Sequence, residues 1–237
     1  MKKIVFNSYE EMCSAAADVI TEQLTQKPKS VFGLATGSTP LGLYGELIRR
    51  YEDKKIDFSK AVSFNLDEYY PIKNDHPQSY HAFMHENLFD KVNFAASHVP
   101  NGEADDPEAE CARYDAMIEA AGGIDIQVLG IGVNGHIGFN EPSDAYFMNT
   151  HMENLTQSTI EANSRFFGDG ESQPTKALTI GFDKIFKAKK ILLLINGAGK
   201  AAIAKKLFED KIHVNVPASL LLLHPDVTVF MDKEADA

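Results

Sequence analysis

The sequence predicts an α/β fold, a single domain with a mostly parallel sheet covered by helices on both faces. Three observations predict it. Short apolar runs without polar alternation, at residues 31–35, 125–129 and 191–195, suit strands buried on both sides. Segments with helical periodicity lie between them, so strands and helices alternate. Each cluster of glycine and polar residues directly follows a predicted strand, and ligands of such sheets gather at the carboxyl ends of the strands. The chain has 237 residues, no internal repeat and no linker, and is expected to form one catalytic domain over 1–237.

Taken in order, residues 3–6 form a first strand. Ser8 and Glu11 have capping-box spacing, and Met12, Ala16, Val19, Ile20 and Leu24 follow on one helical face. Residues 31–35 are the second strand, and Pro40 marks a helix start running to about residue 54. A third strand covers 61–66 and ends in Asp67-Glu68-Tyr69-Tyr70-Pro71. A helix is expected over 79–89. The next one opens with Asp106 as N-cap and Pro107 in the first turn, and Gly122 closes it. After the run at 125–129, residues 143–173 are long, polar and weakly periodic, the character of an active-site lid. Strands at 177–180, 191–195 and 227–230 follow, with helical turns near Lys184, from Lys200 to Glu209, and from Pro217.

Composition removes several classes of function. A net charge of −11 disfavours nucleic acid, which calls for a basic footprint. No apolar run approaches a membrane span, and the first seven residues are too polar for a signal peptide. The two cysteines, Cys13 and Cys111, lack CxxC spacing and read as buried free thiols in a reducing cytoplasm. His81 and His85 have helical i, i+4 spacing, but no Glu lies in H-E-x-x-H register and no third ligand is evident, so no metal site is expected.

Four clusters carry chemistry. The stretch from Gly130 to Pro142 packs four glycines around Asn134, His136, Asn140 and Glu141. Glycines let the backbone approach a ligand closely. A carboxylate five residues after an imidazole can orient it as an acid–base pair. Gly130-Ile-Gly-Val-Asn-Gly135 also fits the dinucleotide fingerprint, but Pro142 follows where a helix would have to run, which argues against a nucleotide. Ala35-Thr-Gly-Ser-Thr-Pro40 passes from strand into helix and forms an anion cradle of backbone N–H groups and hydroxyls around Gly37, Ser38 and Thr39. Lys200 in Asn196-Gly-Ala-Gly-Lys200 sits at a helix start, where a cation is unfavourable unless an anion joins it. Arg165, within 143–173, alone reads as a surface arginine, and with two anion cradles elsewhere it is a candidate clamp closing over a phosphate. Asp67, in Asp67-Glu68 at a strand end, could act as a general base facing a sugar carbon, although a bare Asp-Glu pair is more commonly two solvated loop acids.

Together these residues resemble the glucosamine-6-phosphate deaminase (isomerising) family. The matching pieces are Gly33-Leu-Ala-Thr-Gly-Ser-Thr-Pro40, Ser63-Phe-Asn-Leu-Asp-Glu-Tyr69, Gly130 to Pro142, Ser164-Arg-Phe-Phe167, Gly197-Ala-Gly-Lys200, and Pro217-Ala-Ser-Leu-Leu with Leu223-His-Pro225. They span nearly the whole chain in the family's order. The resemblance implies a Rossmann-like fold of the sugar-phosphate isomerase/deaminase type. It also implies conversion of glucosamine 6-phosphate and water to fructose 6-phosphate and ammonia, with no metal or organic cofactor. Carried over by position, Asp67 moves the proton between C2 and C1. His136 opens the pyranose ring, with Glu141 orienting it. Ser38, Arg165 and Lys200 hold the phosphate, with backbone around Gly37 and Thr39.

There are two departures. Allosteric hexamers of the family often have aspartate where this chain has Asn134, which can still accept a hydrogen bond from His136 but adds no charge. The chain also ends soon after its last strand. Both point away from allosteric activation and the hexamer and toward a monomer; the expected partner is a small sugar phosphate, and the expected location the cytoplasm. A 6-phosphogluconolactonase would share the fold and the anion cradles but does not break a C–H bond. A non-catalytic sugar-phosphate sensor would not need Asp67, His136 and Glu141 together.

Overall fold

The structure, a computed structural model, describes residues 1–164, 167 and 173–237. In chain order the elements are β1 (Lys2–Phe6), α1 (Tyr9–Gln26), β2 (Val31–Leu34), α2 (Leu41–Glu52), β3 (Val62–Asn65), β4 (Asp67–Tyr70), α3 (Tyr80–Asn87), β5 (Ala96–His98), α4 (Pro107–Ala120) and β6 (Ile126–Leu129). Then follow β7 (His151–Asn154), α5 (Gln157–Ser164), β8 (Lys176–Thr179), α6 (Phe182–Lys187), β9 (Lys190–Ile195), α7 (Ala201–Leu207) and β10 (Val227–Asp232). Short 3-10 turns cover Phe89–Lys91, Ala198–Lys200 and Pro217–Leu223.

Seven strands form an all-parallel sheet in the order β1-β10-β9-β6-β2-β3-β5. Its central strands are apolar because helices cover both faces. On β9, Leu192 and Leu194 pack with Met12, Ile20, Leu43 and Met84 of α1, α2 and α3. Ile191, Leu193 and Ile195 pack on the other face with Ile118, Ile185 and Leu207 of α4, α6 and α7. Each such buried aliphatic side chain contributes roughly 1.5–3 kcal/mol of transfer free energy. Chain order reverses between β2 and β6. From β2 the chain builds outward through β3 to β5, then returns to lay β6 on the other side of β2 and continues to β9 and β10. A crevice therefore opens at the carboxyl ends of β2 and β6, where ligands of open α/β sheets bind.

The predicted caps are formed. Ser8 Oγ accepts from Glu11 N–H at 3.2 Å, while the Glu11 carboxylate reaches the Asn7 N–H at 3.0 Å, one residue before the reciprocal partner a capping box would use. Asp106 Oδ1 accepts from Ala109 N–H at 2.9 Å, Pro107 opens α4, and Gly122 turns the chain away at φ +88°.

Five elements differ from expectation: β4, which is a separate strand and not the end of β3, α5 within 143–173, and β5, β7 and β8. The strand expected at 177–180 does not join the parallel sheet. It is β8, the centre of a small antiparallel sheet β4-β8-β7. The strand, Lys-Ala-Leu-Thr, is only four residues long, too short for periodicity to say which sheet it joins. β7, His-Met-Glu-Asn, reads as loop because it is a polar edge strand of that sheet. β5 is only three residues, each half-buried at the sheet edge. The segment 143–173 thus contains β7 and α5. Arg165 lies outside the described residues.

Replacing Asp106 with alanine removes the α4 cap and is expected to lower stability by about 0.5–2 kcal/mol. Urea unfolding should show a lower midpoint at unchanged m-value, with turnover retained because α4 lies away from the crevice. An unchanged midpoint would show that the cap is not stabilising.

Candidate active site

A cavity of about 460 Å³ lies at the carboxyl ends of β2, β3 and β6. The loops after these strands wall it, and Tyr80 of α3, Thr159 of α5 and Lys200 close its sides. Its size suits a small metabolite.

One end is built for an anion. After β2, the chain turns through Thr36, Gly37, Ser38 and Thr39, with Gly37 at φ +93°, a conformation that costs glycine little. Tyr9 Oη fixes the back of this turn. It accepts from Gly42 N–H at 2.7 Å and donates to the Thr39 carbonyl at 2.9 Å. Thr39 Oγ1 donates to Asn196 Oδ1 at 2.7 Å, joining the turn to the loop after β9. That loop is pinned in turn, because Gly197 N–H donates to the Asp232 carboxylate at 3.0 Å. Lys200 follows. Its ammonium donates to the Ile131 carbonyl at 2.7 Å, and burial lowers its pKa. Among the described residues no carboxylate pairs with it. A half-buried ammonium beside a carbonyl and without a counter-ion is relieved by a phosphate.

The other end is built for proton transfer. Asp67, the first residue of β4, lines the cavity at 5% exposure, and among the described residues no donor bonds its carboxylate. Burial, then the charge of Glu68, push its pKa well above the ordinary carboxylate value. Such a carboxylate binds a proton more tightly and is the stronger base. Glu68 is fully buried behind it. Burial raises Glu68 to about 7, against the opposing pull of backbone N–H groups of Tyr80, His81 and Tyr69, each donating at 2.8 Å. Glu68 thus fastens β4 to the first turn of α3 and places Tyr80 on the cavity wall.

His136 lines the same space. Its Nδ1 lies 3.3 Å from Glu141 Oε2, which leaves Nε2 unengaged by that carboxylate. Burial alone would raise the pKa of Glu141, but hydrogen bonding and charge from His136, then hydrogen bonds from Thr159 and Asn134, outweigh it and hold it at about 2. Asn134 Nδ2 donates to Glu141 Oε2 at 2.7 Å, and Asn134 Oδ1 accepts at 3.2 Å from the backbone N–H of His136. The asparagine therefore serves the carboxylate and the loop, and the imidazole is left to Glu141. Two glycines make room. A Cβ on Gly132 would stand 2.4 Å from the His136 ring, and one on Gly138 would stand 2.9 Å from Thr179 Oγ1 and 3.4 Å from the Asp67 carboxylate.

Gly37, Ser38, Thr39, Asp67, Asn134, His136 and Lys200 all line the one cavity, and Glu141 stands directly behind His136. Three contributors carry no sequence signal of their own. Glu68 looks like a solvated neighbour of Asp67, Tyr9 like a first-turn helix residue, and Thr159 like part of a polar stretch. Only their tertiary contacts reveal them. His81 and His85 share a face of α3 with ring centroids 4.5 Å apart, and His85 Nδ1 pairs with Asp90 at 2.7 Å. The described residues hold no cluster of three His, Cys, Asp or Glu suited to a metal.

The family model described as glucosamine-6-phosphate isomerases/6-phosphogluconolactonase matches residues 7–230. The chain belongs to this family. Within it, glucosamine-6-phosphate deaminases from Thermoanaerobacter pseudethanolicus and Clostridium botulinum are each 52% identical over 237 residues, covering 99% of this chain and 94% and 97% of theirs. The solved structure of a monomeric glucosamine-6-phosphate deaminase superposes with a TM-score of 0.96 at 45% identity, covering 99% of this chain and 98% of that one. A 6-phosphogluconolactonase from Thermotoga maritima, 21% identical with a TM-score of 0.76 over 98% of this chain and 99% of its own, shares the fold.

The space left by glycine at position 132 gives a direct test of the His136 geometry. Gly132→Ala should displace the imidazole and lower turnover on the order of 10²-fold, the usual cost of a displacement near 1 Å in a reacting group. The far-ultraviolet circular dichroism should be unchanged. Full turnover by Gly132→Ala would mean that His136 is not held where the structure places it, or that its position does not matter.

Proposed function

We propose that this cavity converts glucosamine 6-phosphate and water to fructose 6-phosphate and ammonia, with each part of the site in a defined role. The phosphate sits on the turn at 36–39 and on the ammonium of Lys200. His136, oriented by Glu141, takes the proton of the anomeric hydroxyl and returns one to the ring oxygen, opening the pyranose. Asp67 then removes the proton from C2 as the aldehyde oxygen is protonated, giving an enolamine. Protonation at C1 converts this to an iminium at C2. Water adds there, and ammonia departs. Atoms and charge balance with no redox partner.

The observation that carries this reading is Asp67. Its carboxylate faces the cavity without a donor among the described residues, desolvated and beside a second buried acid, the environment of a base that must take a proton from carbon. A lactonase has to activate water and breaks no C–H bond, so a base placed against a sugar carbon favours the deaminase. The 52% identity to deaminases over the full chain supports the same choice.

The net charge of −11 works against an anionic substrate, so attraction rests on the local cation and N–H groups. Arg165 is proposed as a further phosphate ligand and 143–173 as the segment that closes over the site. The protein is proposed to act in the cytoplasm. No helix among the described residues is long and apolar enough to cross a membrane.

The roles separate in kinetics. Asp67→Asn should lower kcat by about 10²–10⁴ while leaving substrate binding intact, as for a positioned general base. Lys200→Ala should instead weaken binding by roughly 1.5–3 kcal/mol, the scale of a charge-assisted hydrogen bond. Ammonia release from the substrate by the parent protein is the direct assay. An Asp67→Asn variant working at the parent rate would end the assignment of the base.

A monomer with hyperbolic kinetics is proposed as well, supported by the 45% identical neighbour described as monomeric. Light scattering should give the mass of one chain, and N-acetylglucosamine 6-phosphate should leave the rate curve unchanged. A hexamer, or a sigmoidal curve that this compound makes hyperbolic, would overturn it.

A further inference from the structure

Glu141 is the carboxylate on which His136 depends, and its two oxygens are held by different parts of the chain. Oε2 belongs to its own loop, accepting from Asn134 Nδ2 at 2.7 Å and facing His136 Nδ1 at 3.3 Å. Oε1 accepts from the hydroxyl of Thr159, which comes from α5, 18 residues further along. Thr159 is 5% exposed and lines the cavity. Its hydroxyl in turn accepts from Thr156 Oγ1 at 3.1 Å, and Thr156 starts the helix by taking the N–H groups of Thr159 and Ile160 on its carbonyl, each at 3.0 Å. A short relay of donors therefore runs from the start of α5 into the catalytic carboxylate.

The helix has its own seat. Ile160 packs on a cluster of Tyr69, Phe139 and Leu155, and Gln173 Nε2 donates to the Ile160 carbonyl at 2.9 Å. Tyr69 follows Asp67 and Glu68 on β4, and Phe139 lies between His136 and Glu141. The surface that receives α5 is thus built from the same two segments that carry Asp67, His136 and Glu141, and Phe139 and Thr159 also line the cavity. If α5 leaves that surface, Thr159 leaves with it, and Oε1 loses its hydroxyl donor. The carboxylate can then rotate away from the imidazole.

We propose that Thr159 is a positioning residue for ring opening, holding Glu141 in register with His136 only while α5 is seated on the Tyr69–Phe139 surface. This rests on the reading of His136 as the ring-opening group. The seating of α5 is thereby linked to chemistry at the anomeric carbon, without Thr159 touching the reacting atoms. The 36–39 turn and Lys200 belong to other loops and hold the phosphate independently of Thr159, whereas Arg165, proposed above as a further ligand, directly follows α5 in the chain.

The test compares Thr159→Val, Thr159→Ser and Ile160→Ala with the parent in steady-state ammonia release. Binding of the reduced, permanently open-chain alditol of glucosamine 6-phosphate is measured by calorimetry. Thr159→Val keeps shape and removes the hydroxyl. It should lower kcat by about 10–100-fold, the range typical of residues that orient a catalytic group. KM should stay within about twofold, as for an interaction that acts on the reaction barrier. Thr159→Ser should restore most of the rate. Ile160→Ala keeps the hydroxyl but weakens the seat, and should show the same kcat loss. Affinity for the alditol, which needs no ring opening, should be unchanged in the two Thr159 variants; in Ile160→Ala, which also loosens the segment leading to Arg165, the kcat loss is the readout. If the parent itself releases no ammonia, the proposed reaction fails. If the parent is active, the proposal is overturned by Thr159→Val at the parent kcat, by Thr159→Ser as slow as Thr159→Val, or by Ile160→Ala at full rate. Should Thr159→Val not fold, the serine and Ile160→Ala variants decide alone.

Discussion

The pairing of β2 with β6 sets the distance between the anion turn and the loop that carries His136, and it depends on glycine at position 33. Gly33 stands opposite Gln127 across the two strands, and a Cβ there would lie 2.0 Å from the Gln127 side chain. The amide of Gln127 fills that space and donates to the Val128 carbonyl at 2.9 Å. Because β2 and β6 are neighbours in the sheet but far apart in the chain, their loops open outward from one crevice. In the proposed reaction, this pairing brings phosphate recognition and ring opening to the two ends of one small molecule.

The acid–base half of the site uses burial as its main tool. Asp67 and Glu68 are adjacent in sequence, and on a strand they point to opposite sides. One therefore faces the cavity while the other turns into the protein and is satisfied by backbone N–H groups. Burial acts on Glu141 in the same direction, but donors around it win. The cavity thus has two carboxylates of opposite character: Asp67 is given a high proton affinity, and Glu141 is kept charged beside His136, which suits the base and the orienting group of the proposed reaction.

Much of this was legible in the sequence, for identifiable reasons. The strands β2, β6 and β9 are continuous apolar runs, the caps at Ser8 and Asp106 have fixed spacing, and Gly132, Gly135 and Gly138 announce a loop that must approach other atoms closely. The small antiparallel sheet was not legible. β7 has no apolar face to speak of, and β8 is too short to choose a partner from its pattern alone. The roles of Glu68, Tyr9 and Thr159 were hidden for another reason. Each is an ordinary residue whose contribution is one hydrogen-bonding group delivered to a distant backbone or carboxylate. Sequence shows what a residue can offer, and only the fold shows to whom.

Glu68 also joins two properties that could have been separate. Its carboxylate holds the first turn of α3 through Tyr80 and His81, and its charge raises the proton affinity of Asp67. A change at position 68 therefore alters wall geometry and base strength in a single step. In evolutionary terms the position is pleiotropic. A lineage adjusting the enzyme to a more acidic cell cannot weaken the base by removing this charge without also loosening Tyr80.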